Sequence, residues 1–116
     1  MRLLLGKKNR LTNEKVNPKY AVELLSKMIE EDAIVTADVG QNQIWTCHYL
    51  DMLGERRFLT SGGLGTMGYS IPASVGCKLA FQDRRVVAVM GGGSSQMSMF
   101  ELGTIAQNHL KIILFN

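Results

Sequence analysis

Cysteine is scarce in this chain: only Cys47 and Cys77 occur among 116 residues. They stand in unrelated local contexts, with no CxxC pair and no metal-site spacing, which argues against a disulfide framework or a cysteine-bound metal. Both read as reduced thiols packed in helices. Long apolar runs are missing near the start, where Leu3-Leu4-Leu5 is the only one. That is far short of a signal-peptide core or of the roughly 20 residues of a membrane span. A cytoplasmic location without a membrane partner is therefore expected. Aromatic residues are absent before Tyr20, although Arg2, Lys7, Lys8, Arg10, Lys15 and Lys19 face only Glu14 there. A basic stretch with no interleaved aromatics reads as a solvated tail or linker over 1–16, not as a nucleic-acid surface. No internal repeat or low-complexity tract is visible.

What is present has the composition of one globular domain or part of one, with 46% hydrophobic and 20% charged residues and a net charge of +3. The folded part is expected at 17–116. Asn17-Pro18 is a good helix start, and Ala21, Leu24, Leu25, Met28 and Ile29 recur at helical spacing, predicting a helix over 18–30. A short, mostly apolar run follows over 33–39 and ends at Gly40, then a second helical stretch over about 43–52. Phe58-Leu59-Thr60 makes a brief strand, and Ile71, Val75, Leu79 and Ala80 mark the inner face of another helix.

Val86-Val87-Ala88-Val89-Met90 is continuously apolar, as strands are when helices cover both faces of a parallel sheet. Met97, Phe100, Leu102, Ile105 and Ala106 suit one further helix, and Ile112-Ile113-Leu114-Phe115 a final buried strand. The repeated strand, loop, helix order predicts an α/β fold: an open, mostly parallel sheet with helices on both faces, binding its ligand beyond the carboxyl ends of the strands. The sequence stops directly on the last strand with no closing helix, so a truncated domain is expected.

The glycine loops lie at those strand ends. Gly91-Gly92-Gly93-Ser94-Ser95 joins a buried strand to a helix, where exposed backbone N–H groups can face a phosphate. A flexible turn explains one or two such glycines more easily than three. Gly63-Leu64-Gly65-Thr66-Met67-Gly68 matches GxGxxG, so a dinucleotide-binding oxidoreductase is a rival reading. In that fold an acidic residue ends the next strand to hold the ribose, but Asp83 precedes the strand at 86–90 and only glycines follow it.

Taken in order and spacing from about Asn17 onward, Asp38-Val39-Gly40-Gln41, Ser61 to Gly68, Gly91-Gly92-Gly93-Ser94 and Ile113-Leu114-Phe115-Asn116 resemble the pyrophosphate-binding module of thiamine-diphosphate enzymes. The middle loop and Gln96-Met97-Ser98-Met99 are most similar to acetolactate synthase large subunits. The resemblance implies that Val39, Gly40, Gln41 and Asn42 lie over the cofactor diphosphate, Asn42 standing where synthases usually carry histidine. From chemistry alone, Gln41 and Asn42 read as a polar helix cap. It further implies that Gly65 and Met67 meet the aminopyrimidine through backbone groups while the Met67 side chain wedges the cofactor into its bent form. Met67 read without the family is a core residue. Gly91, Gly92, Gly93 and Ser94 would cradle the diphosphate.

The family pattern reads Gly-Asp-Gly, then a helix and a strand, then Asn-Asn, and holds Mg2+ through the aspartate and an asparagine. Here Gly92 replaces the aspartate, and Asn116 matches the first asparagine as the one remaining metal ligand. A hard cation prefers charged oxygen, so metal affinity should fall. Ser95 stands where an apolar or aromatic residue is usual, and the stretch from Ser94 to Phe115 is slightly short, a deletion placed at the Leu110-Lys111 turn.

The family's activating glutamate belongs to a pyrimidine-binding domain of the same or a partner subunit, so no catalytic residue is expected in this chain, and the full-length form is expected to be a homo-oligomer. Glu23, Glu30, Glu31, Glu55 and Glu101 read as solvated charges. His48 and His109 lack partners at a meaningful spacing. The complete enzyme would decarboxylate pyruvate and condense the product with a second 2-oxo acid, in branched-chain amino-acid or acetoin metabolism, with this chain inactive alone. A non-catalytic remnant or assembly module with a lost metal site is the alternative, and Gly92 is the residue that favours it.

Overall fold

Asn17 starts the first helix by accepting a hydrogen bond from the Lys19 backbone N–H at 3.0 Å. Pro18 follows at the position where a missing N–H costs nothing. The computed structural model describes residues 15–116, so the basic segment expected at 1–16 falls outside it except for Lys15 and Val16. Helix α1 spans Pro18–Met28, β1 Ile34–Ala37, α2 Gln41–Tyr49, β2 Arg57–Thr60 and α3 Ser70–Ala80. Strand β3 spans Val86–Val89, α4 Gly92–Met97, α5 Glu101–Gln107 and β4 Ile112–Phe115.

The four strands form one parallel sheet in the order β2-β1-β3-β4. Alternation along the strands splits the core into two layers. Val35, Ala37, Val87 and Val89 pack with Val22 and Leu25 of α1, with Ile29 just after it, and with Trp45 and Tyr49 of α2. On the other face Ala88 and Met90 pack with Ile71 of α3 and Ile105 of α5. The open parallel α/β sheet with helices on both faces is thus the observed fold. β1 and β3 are buried throughout, as their unbroken apolar runs require.

Four expectations need correction. Met28 and Leu79 are exposed, while Val22, Leu25, Ser26 and Ile29 of the α1 region and Ser70, Ile71, Ser74 and Val75 of α3 are buried. Each i to i+4 step overshoots a helical turn by about 40°, so Leu79, two such steps beyond Ile71, has rotated off the buried face. The single helix expected from Met97 to Ala106 is two helices, α4 and α5, broken at Ser98–Phe100, and Met97, Phe100 and Leu102 lie exposed. Strand β4 is a sheet edge with Ile113 and Leu114 exposed, not a buried strand. Cys47 and Cys77 do sit in helices, but Cys47 is exposed on α2 and only Cys77 is partly packed.

Helix α1 has no glycine cap at its end. Arg56, only 2% exposed, caps it instead. Its guanidinium donates to the carbonyls of Ser26, Ile29 and Glu30 at 3.2, 2.9 and 3.1 Å through Nη2. Nη1 reaches the Asp51 carbonyl at 2.6 Å and Ser26 Oγ at 3.1 Å. A cation at the negative end of a helix, satisfying carbonyls that have no partner within it, offsets its own burial. This ties α1 to the turn that enters β2.

Candidate functional site

Between β1 and β3 the sheet order reverses: the chain leaves β1 for β2 on one side and returns to β3 on the other. Open α/β sheets form a crevice at such a point, beyond the carboxyl ends of the strands. Here those ends carry Asp38-Val39-Gly40 and Met90-Gly91-Gly92.

Asp38 continues β1 on the face that carries Ile34 and Thr36, toward α3, and is fully buried. Its Oδ1 accepts the backbone N–H groups of Val39 and Gly68, each at 2.9 Å, and its Oδ2 accepts that of Ser70 at 3.1 Å. One carboxylate thereby fixes the end of the middle glycine loop and the first residue of α3, which has no side-chain cap of its own. Thr36, two residues earlier on the same face, donates its hydroxyl to the Ser70 carbonyl at 3.0 Å, and Ser70 Oγ returns a bond to the Thr36 carbonyl at 3.0 Å.

Asn42 lies across the crevice. Its Nδ2 donates to the Asp38 carbonyl at 2.7 Å. Its Oδ1 lies 3.0 Å from where a Cβ on Gly40 would stand, and 3.2 Å from where one on Gly91 would. Gly40, at φ 134°, precedes the first residue of α2, Gln41, which is exposed. The side chain of Asn42 thus packs between the first and third glycine loops, and a side chain at Gly40 or Gly91 would crowd its Oδ1.

The third loop is held from within. Ser94 is buried, and its hydroxyl accepts the Gly91 N–H at 3.2 Å and donates to the Gly91 carbonyl at 3.1 Å. Gly92 and Gly93 are left exposed at the start of α4. Met67, exposed in the middle loop and not a core residue, brings its Cε to 3.9 Å from where a Cβ on Gly93 would stand. Gly65, at φ 64°, is exposed with open space around it. Gly68, at φ 84°, is pressed against Met97, whose Cβ would lie 3.2 Å from a Cβ placed there. The Ser98 hydroxyl beside it is buried with no hydrogen-bond partner among the described residues.

A cavity of about 920 Å³ opens along α1 and the β3–β4 side of the sheet. Gln41, Asn42, Gly91 and Asn116 all line it, so residues from the ends of three strands meet at one opening. Trp45, one helical turn beyond Gln41, lines it too and was not singled out in the sequence, although its i+4 spacing was the available signal. Asp38 and Thr36 were also missed as a pair. Their shared parity at the end of an apolar strand was the clue to which way they face.

His48 and Cys47 line a separate hollow of about 310 Å³ beside β2. The perturbed titrations involve no residue of the strand-end loops, although Arg85 lines the cavity just before β3. A hydrogen bond from Arg85, helped by its charge, holds the Glu30 carboxyl below its usual range, and burial pushes the Cys77 thiol up. No helix among the described residues is long and apolar enough to cross a membrane.

Residues 38–116 match the family described as thiamine pyrophosphate enzyme, C-terminal TPP binding domain. The acetolactate synthase isozyme 3 large subunit of Escherichia coli (strain K12) is 42% identical over 104 residues, covering 90% of this chain and 18% of that protein. The acetolactate synthase of Arthrospira platensis is 52% identical over 87 residues, covering 73% of this chain and 15% of that protein. The acetolactate synthase large subunit of Corynebacterium glutamicum is 45% identical over 101 residues, covering 85% of this chain and 16% of that protein. The chain spans less than a fifth of the length of these relatives.

Proposed function

The chain belongs to the thiamine pyrophosphate enzymes through their C-terminal cofactor-binding domain, and from that membership we propose that its crevice holds the diphosphate end of thiamine diphosphate in an acetolactate synthase-type enzyme. The observation that carries the reading is the meeting of Gln41, Asn42, Gly91 and Asn116 at one cavity, at the point where the sheet order reverses. In this reading the module comprises residues 17–116. Gly92 and Gly93 offer exposed backbone at the start of a helix, where phosphate oxygens are readily accepted. Met67, standing over Gly93, supports the cofactor beside the diphosphate. Asp38 and the Thr36–Ser70 pair hold the first and middle loops and the start of α3 in register.

Bound there, the cofactor supplies an electron sink for decarboxylating a 2-oxo acid and joining the product to a second one. The chain's residues bind and orient it. The proton-moving carboxylate would come from a pyrimidine-binding domain of the same or a partner subunit, in a homo-oligomer of the cytoplasm. Mg2+, the cation this cofactor is usually held with, finds few ligands: Gly92 has no side chain, Asp38 is engaged by three N–H groups, and Asn116 gives one neutral oxygen. The donor set does not fit the ion.

Trp45 is the only tryptophan and lines the cavity, so it reports directly on occupancy. Titration with thiamine diphosphate should change its fluorescence saturably, whereas NAD should not. An unchanged Trp45 signal with thiamine diphosphate, or saturable binding of NAD in its place, would reject the reading.

A further inference from the structure

Over 38–46, 60–70 and 90–100, the three stretches that form the crevice, Asp38 is the only side chain charged at neutral pH. It is fully buried and both its oxygens are committed to backbone N–H groups. Among the described residues no three His, Cys, Asp or Glu side chains converge on a point that could hold a metal ion. No lysine or arginine stands in these stretches to take a cation's place, and Arg85, which lines the cavity just before β3, is paired with Glu30 at 2.9 Å. Divalent magnesium and its analogues need oxygen ligands, preferably anionic ones. The space for such a ligand nevertheless exists, because a Cβ added at Gly92 meets nothing within 4 Å. An acid there would also sit at the start of α4, the favourable end of a helix for negative charge.

Resting on the cofactor reading above, we propose that this crevice takes the phosphate end of its ligand without a protein-held divalent cation, and that the side chain missing at position 92 is the decisive gap in the donor set. Two consequences follow physically. Ligand binding by this chain is indifferent to Mg2+, and one substitution, Gly92→Asp, creates a cation site where there is none.

The test compares the full chain with Gly92→Asp, using Mn2+ alone as the probe and the free-ion electron paramagnetic resonance signal as the readout. Circular dichroism confirms that the variant is folded, and Gly92→Asn, with a neutral oxygen, serves as a second variant of intermediate strength. Gly92→Asp is expected to take up a single Mn2+ at least about 10-fold more tightly than the original chain. Equal uptake by the two chains, whether tight or weak, overturns the proposal.

A second arm follows Trp45 fluorescence during thiamine diphosphate titration in EDTA and in Mg2+. Dissociation constants for the original chain agreeing within roughly two-fold support it. Binding that appears only with Mg2+ overturns it while leaving the cofactor reading intact. If no thiamine diphosphate binds under either condition, the cofactor reading fails, and the Mn2+ comparison still decides the claim about position 92.

Discussion

The Asp38 carboxylate accepts the Ser70 backbone N–H at 3.1 Å, joining the end of β1 to the first residue of α3 across 32 positions of sequence. The same carboxylate holds Gly68, so the middle glycine loop is suspended between Asp38 and α3. Asp38→Ala leaves buried N–H donors without an acceptor, at a cost of roughly 1–3 kcal/mol. For a domain of this size that lowers the melting temperature by about 4–8 °C per kcal/mol. Thermal unfolding followed by circular dichroism measures it, and an unchanged midpoint would show that the loop is held by other contacts.

Gly40→Ala and Gly63→Ala should differ sharply. At Gly40 an added methyl meets Asn42 Oδ1 at 3.0 Å with φ at 134°, a conformation costing a residue with a side chain on the order of 1–3 kcal/mol. At Gly63 nothing lies within 4 Å, and the change should stay within about 0.5 kcal/mol. Chemical denaturation of the two variants side by side reads the contrast, and equal midpoints would refute the close approach of Asn42 to the first loop.

Arg56→Met removes a buried cation that four backbone carbonyls receive. Hydrogen bonds to charged groups are worth roughly 1.5–3 kcal/mol, so the loss should be at least of that order. It should appear first at the end of α1, as faster amide exchange over residues 28–30. A variant as stable as the original would mean that the guanidinium only breaks even with its own desolvation.

The two thiols should separate by rate and by pH. Cys47 is exposed, whereas Cys77 is partly buried and burial raises its pKa, so at a given pH less of it is thiolate, the reactive form. Iodoacetamide should label Cys47 first, and labelling of Cys77 should gain speed only as the solution becomes more alkaline. Peptide mapping after timed quenching distinguishes them. Faster labelling at Cys77 near neutral pH would contradict its packing on α3.

Strands were legible wherever burial on both faces left an unbroken apolar run, as in Val86-Val87-Ala88-Val89, and the helix start at Asn17-Pro18 could be read from capping chemistry. The crevice loops were visible because glycines sit where strands end. Less legible were the features that depend on direction in space. Arg56 in a charged turn looks like any solvated arginine until the end of α1 folds over it. Asp38 shares the parity of Thr36, which tells its face, but nothing near it in sequence names the N–H groups 30 and 32 positions away that its carboxylate accepts. The break between α4 and α5 was hidden because Met97 with Phe100, and Leu102 with Ile105, are each an i, i+3 pair, although the two-residue step between the pairs leaves the shared face.

The pairing of β1 with β3 has a consequence in time. Thr36 and Val87 are 51 residues apart, and the crevice has two walls only once their strands lie side by side. Closing so long a loop costs entropy that no contact offsets until the two strands meet, so neighbouring elements assemble sooner. In a refolding chain, therefore, the far-ultraviolet signal of α1 and α3 should recover before Trp45 can sense a ligand. The ligand would act on the last step, selecting molecules in which β1 and β3 have already met, and it would slow unfolding while leaving the early steps of folding unchanged.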